Sequence, residues 1–281
     1  YGLGQTHKHL PEMQTVCGLA KPPVFVPVVD DYYKGMATTI QLHNRYLRGQ
    51  PTAREICHIL AAYYAKRMGL PVNKLICASN SNNVLTDFLK TGVYDRNRPF
   101  YTTVSPSMDI LISSNLERLL YALSGENDAQ VANYMGQLNA SGRYEVSEDI
   151  KSQIRDLFAA GFTTEGETEE TIGKMWQEKG YLIDTHSAVA FHVLEQYRQE
   201  TGDNTVSVVA STASPFKFGD AVLKAIGVQD VKSGVALLDQ LSEASGIAAP
   251  APLAALKTKT PRFDQCVEKE NMEQAVLGFL N

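Results

Sequence analysis

The spacing of apolar residues along the chain changes near residue 52. After that point, long segments with apolar residues at helical spacing alternate with short, continuous apolar runs. One such helical segment is AREICHILAAYYAKRMG, which ends at Gly69 with Pro71 just beyond, a normal helix stop. Its apolar face would consist of Ile56, Ile59, Leu60, Tyr63 and Tyr64. The pattern predicts helices that alternate with buried strands.

The remaining elements follow from the same reasoning. Buried strands are predicted at KLICAS (74–79) and at Val206–Ala210, and a helix is predicted at NNVLTDFLKTG, ending at Gly92. Further helices are predicted at Asp109–Leu123, Asp128–Leu138, Ser147–Ala160, Glu167–Lys179, Ser187–Thr201, Pro215–Ile226, Val235–Ala244 and Asn271–Leu280. The alternation indicates an α/β fold with a partly parallel sheet flanked by helices, and a helical excursion over about 107–202.

The first 52 residues show no sustained period. They combine a Pro-Pro pair, clustered Val and Tyr, and the stretch HNRYLRGQ. We therefore predict two regions, an atypical amino-terminal segment (1–52) and an α/β region (53–281). If strands of the sheet are missing from this region, exposed strand edges and apolar faces would need to be covered by the first segment or by a second subunit, so a homo-oligomer is expected.

Composition and charge narrow the functional classes. The net charge of −5 and pI of about 5.7 do not favour nucleic acid or an anionic membrane as a partner. We find no apolar run of the roughly 20 residues that span a bilayer, and no signal-peptide pattern at the start. The four cysteines are isolated and have no His at metal-ligand spacing, so neither zinc nor a disulfide framework is predicted. A soluble cytoplasmic protein is expected.

Hydroxyl groups gather directly after the predicted strand Val206–Ala210. Ligands of open α/β sheets bind beyond the carboxyl ends of strands, where Ser211 and Thr212 would lie. They are either ligand contacts or structural hydroxyls. Ser214 precedes Pro215 and is interpreted as a helix N-cap.

Three other polar groups precede predicted helices. They are Asn80, Ser81, Asn82 and Asn83; Ser105, Pro106 and Ser107; and Asp184, Thr185 and His186. A capping role explains one residue of the first group but not all four, which makes Asn80, Ser81 and Asn82 candidate pocket residues. Ser105 and His186 are further candidates, although His186 alone is more often structural. The chain contains no motif typical of serine hydrolases or zinc proteases.

Several of these stretches, in order, resemble threonine synthases. They are LAAYYAKRMGLPVNKLICASNSNNVLTDFLKTGVYD, SPSMDILISSNLERLLY, GYLIDTHSAVA, ASTASPFKFGDAVLKA and the ending APAPLAALKTKTPRFDQCVEKENMEQAVLGFL. The resemblance covers about residues 59–281 and corresponds to the carboxyl-terminal half of that family. It implies a pyridoxal-phosphate enzyme of fold type II, the tryptophan-synthase-β-like group.

The resemblance also implies a reaction. Threonine synthases convert O-phospho-L-homoserine and water to L-threonine and phosphate by γ-elimination and β-addition, and pyridoxal 5'-phosphate is the electron sink. In fold type II enzymes a Ser or Thr hydroxyl faces the pyridine nitrogen and leaves it largely unprotonated. The matching position lies in STAS, so Ser211 or Thr212 is the candidate. Lys217 is not expected to be the Schiff-base lysine.

The amino-terminal part departs from the family pattern. The substrate loop SGDTG is absent, and PTAREICH stands where the glycine-rich phosphate loop is expected, with Arg54 and Glu55 in place of small residues. YYKGMA faintly echoes the lysine segment of the family, which makes Lys34 a weak Schiff-base candidate. Three interpretations stay open: a threonine synthase with an altered front, a catalytically silent relative or fragment, and a related pyridoxal-phosphate lyase.

Overall fold

The computed structural model describes residues 24–25, 40–41, 59–113, 115–211, 213–260 and 266–278. The chain divides into two units, Tyr1–Val72 and Asn73–Asn281. In the first unit, β1 (Val24–Phe25) and β2 (Ile40–Gln41) form an antiparallel pair, and α1 covers Ile59–Arg67. Helix α1 confirms the described part of the predicted helix 53–69, while the predicted boundary near residue 52 lies outside the described residues.

The second unit alternates helices with short strands. Its described strands are β3 (Leu75–Ser79), β4 (Val93–Asp95), β5 (Arg143–Glu145) and β6 (Phe158–Phe162). Its described helices are α2 (Val84–Thr91), α3 (Leu116–Leu123), α4 (Asp128–Ser141), α5 (Glu148–Leu157), α6 (Glu165–Lys179), α7 (Thr185–Thr201), α8 (Gly219–Ala225), α9 (Ala236–Ser245), α10 (Ala251–Ala254) and α11 (Met272–Gly278). Short 3₁₀ helices cover Pro106–Met108, Pro215–Phe218, Ala255–Thr258 and Lys269–Asn271. In the part of the chain that the structure describes, no helix is long and apolar enough to cross a membrane.

A parallel strand pair forms the centre of this unit. β3 and β6 run in register, with Cys77 opposite Ala160. Helix α2 follows β3 and is tied to β6 by the Thr86 hydroxyl, which donates a hydrogen bond of 2.8 Å to the Gly161 carbonyl. Helix α7 contacts both strands. The helix-rich α/β fold with parallel strands is thereby confirmed.

Aromatic packing organises a second strand pair that the sequence pattern did not predict. β4 and β5 are antiparallel and place Tyr94 opposite Tyr144, with the two rings stacked 5.2 Å apart and 3° from parallel. Phe88 of α2 meets the Tyr94 ring edge-on, and Tyr134 of α4 stacks on Tyr144. Each strand has only three residues between helices, so neither shows a usable period. The predicted helical excursion therefore contains two described strands, β5 and β6.

A separate apolar cluster joins α6, α7, α8 and α9. Its fully buried members are Ile172, Ala188, Val222, Leu223 and Leu241. The helices α6 and α8 approach closely at Gly173, where a Cβ atom would lie 2.8 Å from the Ala225 carbonyl oxygen. The two helices can pack in this way because residue 173 has no side chain.

The predicted strand Val206–Ala210 is wrong. This stretch has no assigned strand, and none of the described strands pairs with it. Val206 is 97% exposed and Val208 is 57% exposed. β-branched residues favour a strand only where a neighbouring strand satisfies the backbone and covers the side chains.

Two predicted helices are wrong in their bounds. Residues 109–113 are not helical and do not belong to the helix that begins at Leu116, and the Tyr94 hydroxyl bridges them. It donates to the Leu111 carbonyl at 2.9 Å and accepts from the Ser113 N–H at 3.0 Å. The helix predicted to reach Ala160 ends at Leu157, where β6 begins.

Candidate functional site

The Asn80 side chain is fully buried just after β3 and connects three parts of the loop 101–109. Its Nδ2 lies 2.8 Å from Thr103 Oγ1, 3.0 Å from Ser105 Oγ and 2.8 Å from Asp109 Oδ1. Its Oδ1 accepts from the Asn82 backbone N–H at 2.9 Å. The structure therefore brings the candidates Asn80, Asn82 and Ser105 together.

Asn82 fixes the same loop at its other end. Its Nδ2 donates to the Tyr101 carbonyl at 2.8 Å, and its Oδ1 accepts from the Tyr101 N–H at 2.9 Å. This reciprocal pair satisfies both backbone groups of one residue, which holds the loop as an added strand would. Ser81, the remaining candidate of this stretch, is half-buried.

Asp109 is the acceptor on which the loop converges. Oδ1 accepts from Asn80, from Asn82 at 3.0 Å and from the Thr103 hydroxyl at 2.7 Å, while Oδ2 accepts from the Thr103 N–H at 3.0 Å. Sequence reasoning placed Asp109 at a helix start and missed this role. An acidic residue shortly after Ser-Pro-Ser is a weak signal, because the contact with Asn80 spans 29 positions.

His186 joins this loop to the start of α7. The imidazole is 4% exposed, and its Nε2 accepts from the Ser107 N–H at 3.2 Å. With Nε2 as the acceptor, Nδ1 carries the proton and faces Asp184 Oδ1 at 3.2 Å. The ring also packs against Phe218 with centroids 4.6 Å apart. His186 is therefore a positioning residue between two of the candidate stretches.

Asp184 is the N-cap of α7 and is fully buried. Its side chain accepts hydrogen bonds from the His186 and Ser187 N–H groups at the positive end of the helix. Burial alone would raise the pKa of Asp184, but the hydrogen bonds from His186 and Ser187 outweigh it and hold the pKa below its ordinary value. The group is therefore a carboxylate at neutral pH.

A chain of hydroxyl groups runs outward from Asp184. Ser187 Oγ donates to Asp184 Oδ2, and it lies 2.8 Å from Ser211 Oγ. Ser211 itself is exposed. The four polar stretches predicted from sequence thus form one connected path, in which the candidates Asn80, Ser105, His186 and Ser211 are linked through Ser107, Asp184 and Ser187.

Of the remaining residues considered in the sequence analysis, the structure describes some and not others. Ser214 caps the 3₁₀ helix Pro215–Phe218 by accepting from the Phe216 N–H at 3.3 Å, as predicted. Lys217 is exposed, with its ammonium 5.4 Å from the Phe218 ring centroid. Thr212 and Lys34 lie outside the described residues. No group of three His, Cys, Asp or Glu that could hold a metal occurs among the residues that the structure places.

A cleft on the described surface lies away from the connected polar path. It has a volume of about 540 Å³ and is open to solvent. Its lining is formed by Gly166, Glu169, Glu170, Gly173, Lys174, Gln177, Lys224 and Ala225. None of the predicted site residues lines this cleft.

The comparisons with known proteins show which proteins this chain is similar to. The family described as "Threonine synthase, C-terminal" matches residues 187–276. The crystal structure of threonine synthase from yeast superposes with a TM-score of 0.67 at 34% identity, covering 79% of this chain and 45% of that one. The structure of PLP-bound threonine synthase from Brucella melitensis gives a TM-score of 0.55 at 40% identity, covering 67% and 39%.

The resemblance to threonine synthases is confirmed.

Curated relatives show how much of a threonine synthase this chain spans. Threonine synthase of Saccharomyces cerevisiae is 39% identical over 182 residues, covering 60% of this chain and 35% of the relative. Human "Threonine synthase-like 1" is 38% identical over 175 residues, covering 62% and 23%. The chain therefore spans about a third or less of the length of these relatives.

Proposed function

We propose that this chain is the carboxyl-terminal part of a pyridoxal-phosphate-dependent threonine synthase of fold type II. The reaction is the conversion of O-phospho-L-homoserine and water to L-threonine and phosphate. The observation that supports it most is the Ser211 hydroxyl, which is exposed but anchored at 2.8 Å to Ser187 and through it to the buried Asp184. A hydroxyl held in this way suits the contact with the ring nitrogen that the family resemblance implies.

The residues on the path have separate roles in this proposal. Pyridoxal phosphate supplies the electron sink when it is bound. Ser211, with Thr212 beside it, would hold the ring nitrogen. Asn80 and Asn82 hold the loop 101–109 in place, and Ser81 stands at the same strand end as a candidate substrate contact. His186 accepts a hydrogen bond from the Ser107 N–H and so holds the loop 101–109 at a fixed distance from the start of α7.

The residues that would bind the cofactor covalently and hold its phosphate are expected before residue 59. Lys34 is the weak candidate for covalent attachment, and Arg54 stands where the resemblance expects the glycine-rich phosphate loop. Both residues lie outside the described residues. The anchored Ser211 hydroxyl supports the proposed ring contact, while the lysine and phosphate contacts rest on the family resemblance alone.

A second candidate function is a threonine synthase-like protein that binds the cofactor without the full reaction. The matches to proteins named "Threonine synthase-like 1", at 39% identity over 175 residues for the Macaca fascicularis protein, favour it. The absent substrate loop and the replaced glycine-rich loop also favour this second candidate. The two candidates differ in whether phosphate is released from the substrate.

The test uses the purified full chain with added pyridoxal phosphate and O-phospho-L-homoserine. The proposal predicts saturable cofactor binding, release of phosphate and formation of threonine. Borohydride reduction followed by peptide mass spectrometry would then locate the cofactor on Lys34. Saturable binding without phosphate release would support the second candidate, and absence of saturable binding would contradict both.

The remaining expectations are part of the same proposal. We propose a phosphorylated amino acid as the small-molecule partner, a cytoplasmic location, no partnership with nucleic acid or membrane, and association of copies into a homo-oligomer. The exposed Val206 and Val208 support the last point, because exposed β-branched residues favour pairing with another strand. Light scattering after size-exclusion chromatography measures the oligomeric state directly, and a monomer would contradict the proposed homo-oligomer.

A further inference from the structure

An exposed turn in the loop 101–109 is joined to α7 by one backbone hydrogen bond. The turn is the 3₁₀ helix Pro106–Met108, and the loop residues on either side of it are held by Asn80. Among the hydrogen bonds of the described residues, the bond that connects the turn itself to another element runs from the Ser107 N–H to His186 Nε2 at 3.2 Å. The position of the turn relative to α7 therefore depends on His186.

This hydrogen bond requires the neutral form of His186. The Ser107 N–H can only donate, so Nε2 must offer a lone pair. Nδ1 then carries the ring proton and faces Asp184 Oδ1 at 3.2 Å. A second proton would have to go to Nε2, and two N–H groups would then face each other. Protonation of the ring therefore replaces an attraction between Ser107 and His186 by a repulsion.

The charged groups around the imidazole are compatible with its protonation. The Asp184 carboxylate is in direct contact with the ring and would form an ion pair with the imidazolium, which gives the buried charge a partner. Lys217 lies on the 3₁₀ helix that packs against the ring, but it is exposed, so solvent and salt screen its charge. Asp109 and Glu165 are acidic and accept hydrogen bonds from backbone N–H groups of the loop.

We propose that His186 is a pH-sensitive switch for the turn Pro106–Met108. Neutral His186 holds the turn against the start of α7, and protonated His186 releases it. The rest of the loop stays in place, because Asn80 and Asn82 hold it through hydrogen bonds in which no histidine takes part. Since Asn80 directly follows β3, release of the turn would loosen one side of the candidate site. A bound cofactor is not needed for this switch.

The experiment follows amide exchange with water by NMR in the ¹⁵N-labelled full chain. It covers about pH 8 to pH 5, the range in which histidine ordinarily changes charge. Each exchange rate is compared with that of an unstructured peptide at the same pH, which gives the protection of that amide. Protection of the Ser107 amide should fall about tenfold as the pH is lowered, the value of one hydrogen bond. The Thr163 amide, which donates to the Ser79 carbonyl at 2.9 Å, should keep its protection.

Two glutamine variants separate His186 from other groups that titrate. In His186→Gln, the side-chain amide oxygen can accept from the Ser107 N–H but takes up no proton, so protection of Ser107 should not depend on pH. His192→Gln is the matched control on the same helix, because His192 contacts Thr171 and Glu167 of α6. It should reproduce the fall seen in the wild type.

The titration of the His186 ring nitrogens in the wild type provides a second measurement. The switch predicts that they titrate with the same midpoint as the protection of Ser107. Constant protection of Ser107 in the wild type, or the same fall in a folded His186→Gln, would overturn the proposal. If circular dichroism shows that His186→Gln does not fold, the two wild-type midpoints decide. Equal midpoints support the switch, and different midpoints or a ring that stays neutral overturn it.

Discussion

Asn80 Nδ2 lies 2.8 Å from Asp109 Oδ1, although the two residues are 29 positions apart. The contact connects the end of β3 to a loop with little regular structure of its own. Because Asn80 is fully buried, its amide must find partners within the protein. The loop 101–109 provides them, and the strand end and the loop therefore keep a fixed geometry.

Replacement of Asn80 by Ala should lower the free energy of unfolding by about 2–3 kcal/mol. The substitution leaves the buried Ser105 and the half-buried Asp109 without one of their partners, and an unsatisfied buried polar group costs about 1–3 kcal/mol. Urea denaturation followed by circular dichroism measures the change. The control is Asn139→Ala on the exposed face of α4, expected within about 0.5 kcal/mol of the wild type. Equal midpoints for the two variants would contradict the role of Asn80.

The stability of the protein should depend on pH through Asp184. Its folded pKa is lowered, so the carboxylate contributes stability above its unfolded pKa of about 3.9 and loses it as the pH falls through the folded pKa. The wild type should exceed Asp184→Asn in stability at neutral pH, and the difference should shrink in acid. Denaturation curves of both proteins across the acid range measure this, and parallel curves would contradict the account.

Gly173→Ala should destabilise the protein by about 1–3 kcal/mol, although alanine is the better helix former. The added Cβ would lie 2.8 Å from the Ala225 carbonyl oxygen, so α6 and α8 would have to move apart. Gly136→Ala in α4 is the matched control, because a Cβ there has no atom within 4 Å. It should stabilise the protein by up to about 1 kcal/mol. Thermal unfolding of the two variants measures both signs, and a stabilising Gly173→Ala would show that the helices are not in close contact.

Cys77 should resist alkylation in the native protein. Burial on β3 raises the pKa of the Cys77 thiol to about 12, so the reactive thiolate is scarce as well as inaccessible. Cys266 is exposed and should react readily. Iodoacetamide labelling with peptide mass spectrometry, before and after denaturation, compares the two directly. Rapid native labelling of Cys77 would mean that the β3–β6 pair does not form as described.

Local signals predicted the helices and their ends well. Gly92 and Gly180 end helices in the left-handed conformation that glycine adopts freely, and Thr164 with Glu167 forms a capping box at the start of α6. These features act within a few residues, so the sequence pattern contains them. The same holds for Ser214 as the cap before Pro215.

The sequence pattern failed where the structure depends on contacts between residues that are distant in the chain. The pattern at Val206–Ala210 favours a strand, yet a strand forms only beside a partner, and no described strand pairs with it. The segment 109–113 was predicted as helix, but the Tyr94 hydroxyl holds it in another conformation. In the candidate site, hydroxyl and amide residues were found by their places at segment ends. Asp109 and Ser187 were missed because their roles depend on which residues the fold places beside them.

The central claim is that Ser211, anchored through Ser187 and Asp184, contacts the ring of pyridoxal phosphate. The most direct test is an equilibrium titration of the cofactor, followed by absorbance, against the wild-type chain, Ser211→Ala and the exposed control Ser233→Ala. The account predicts saturable binding that Ser211→Ala weakens about tenfold, the value of one hydrogen bond of about 1.4 kcal/mol, with no change in the control. Absence of saturable binding, or equal affinities for Ser211→Ala and the wild type, would contradict it.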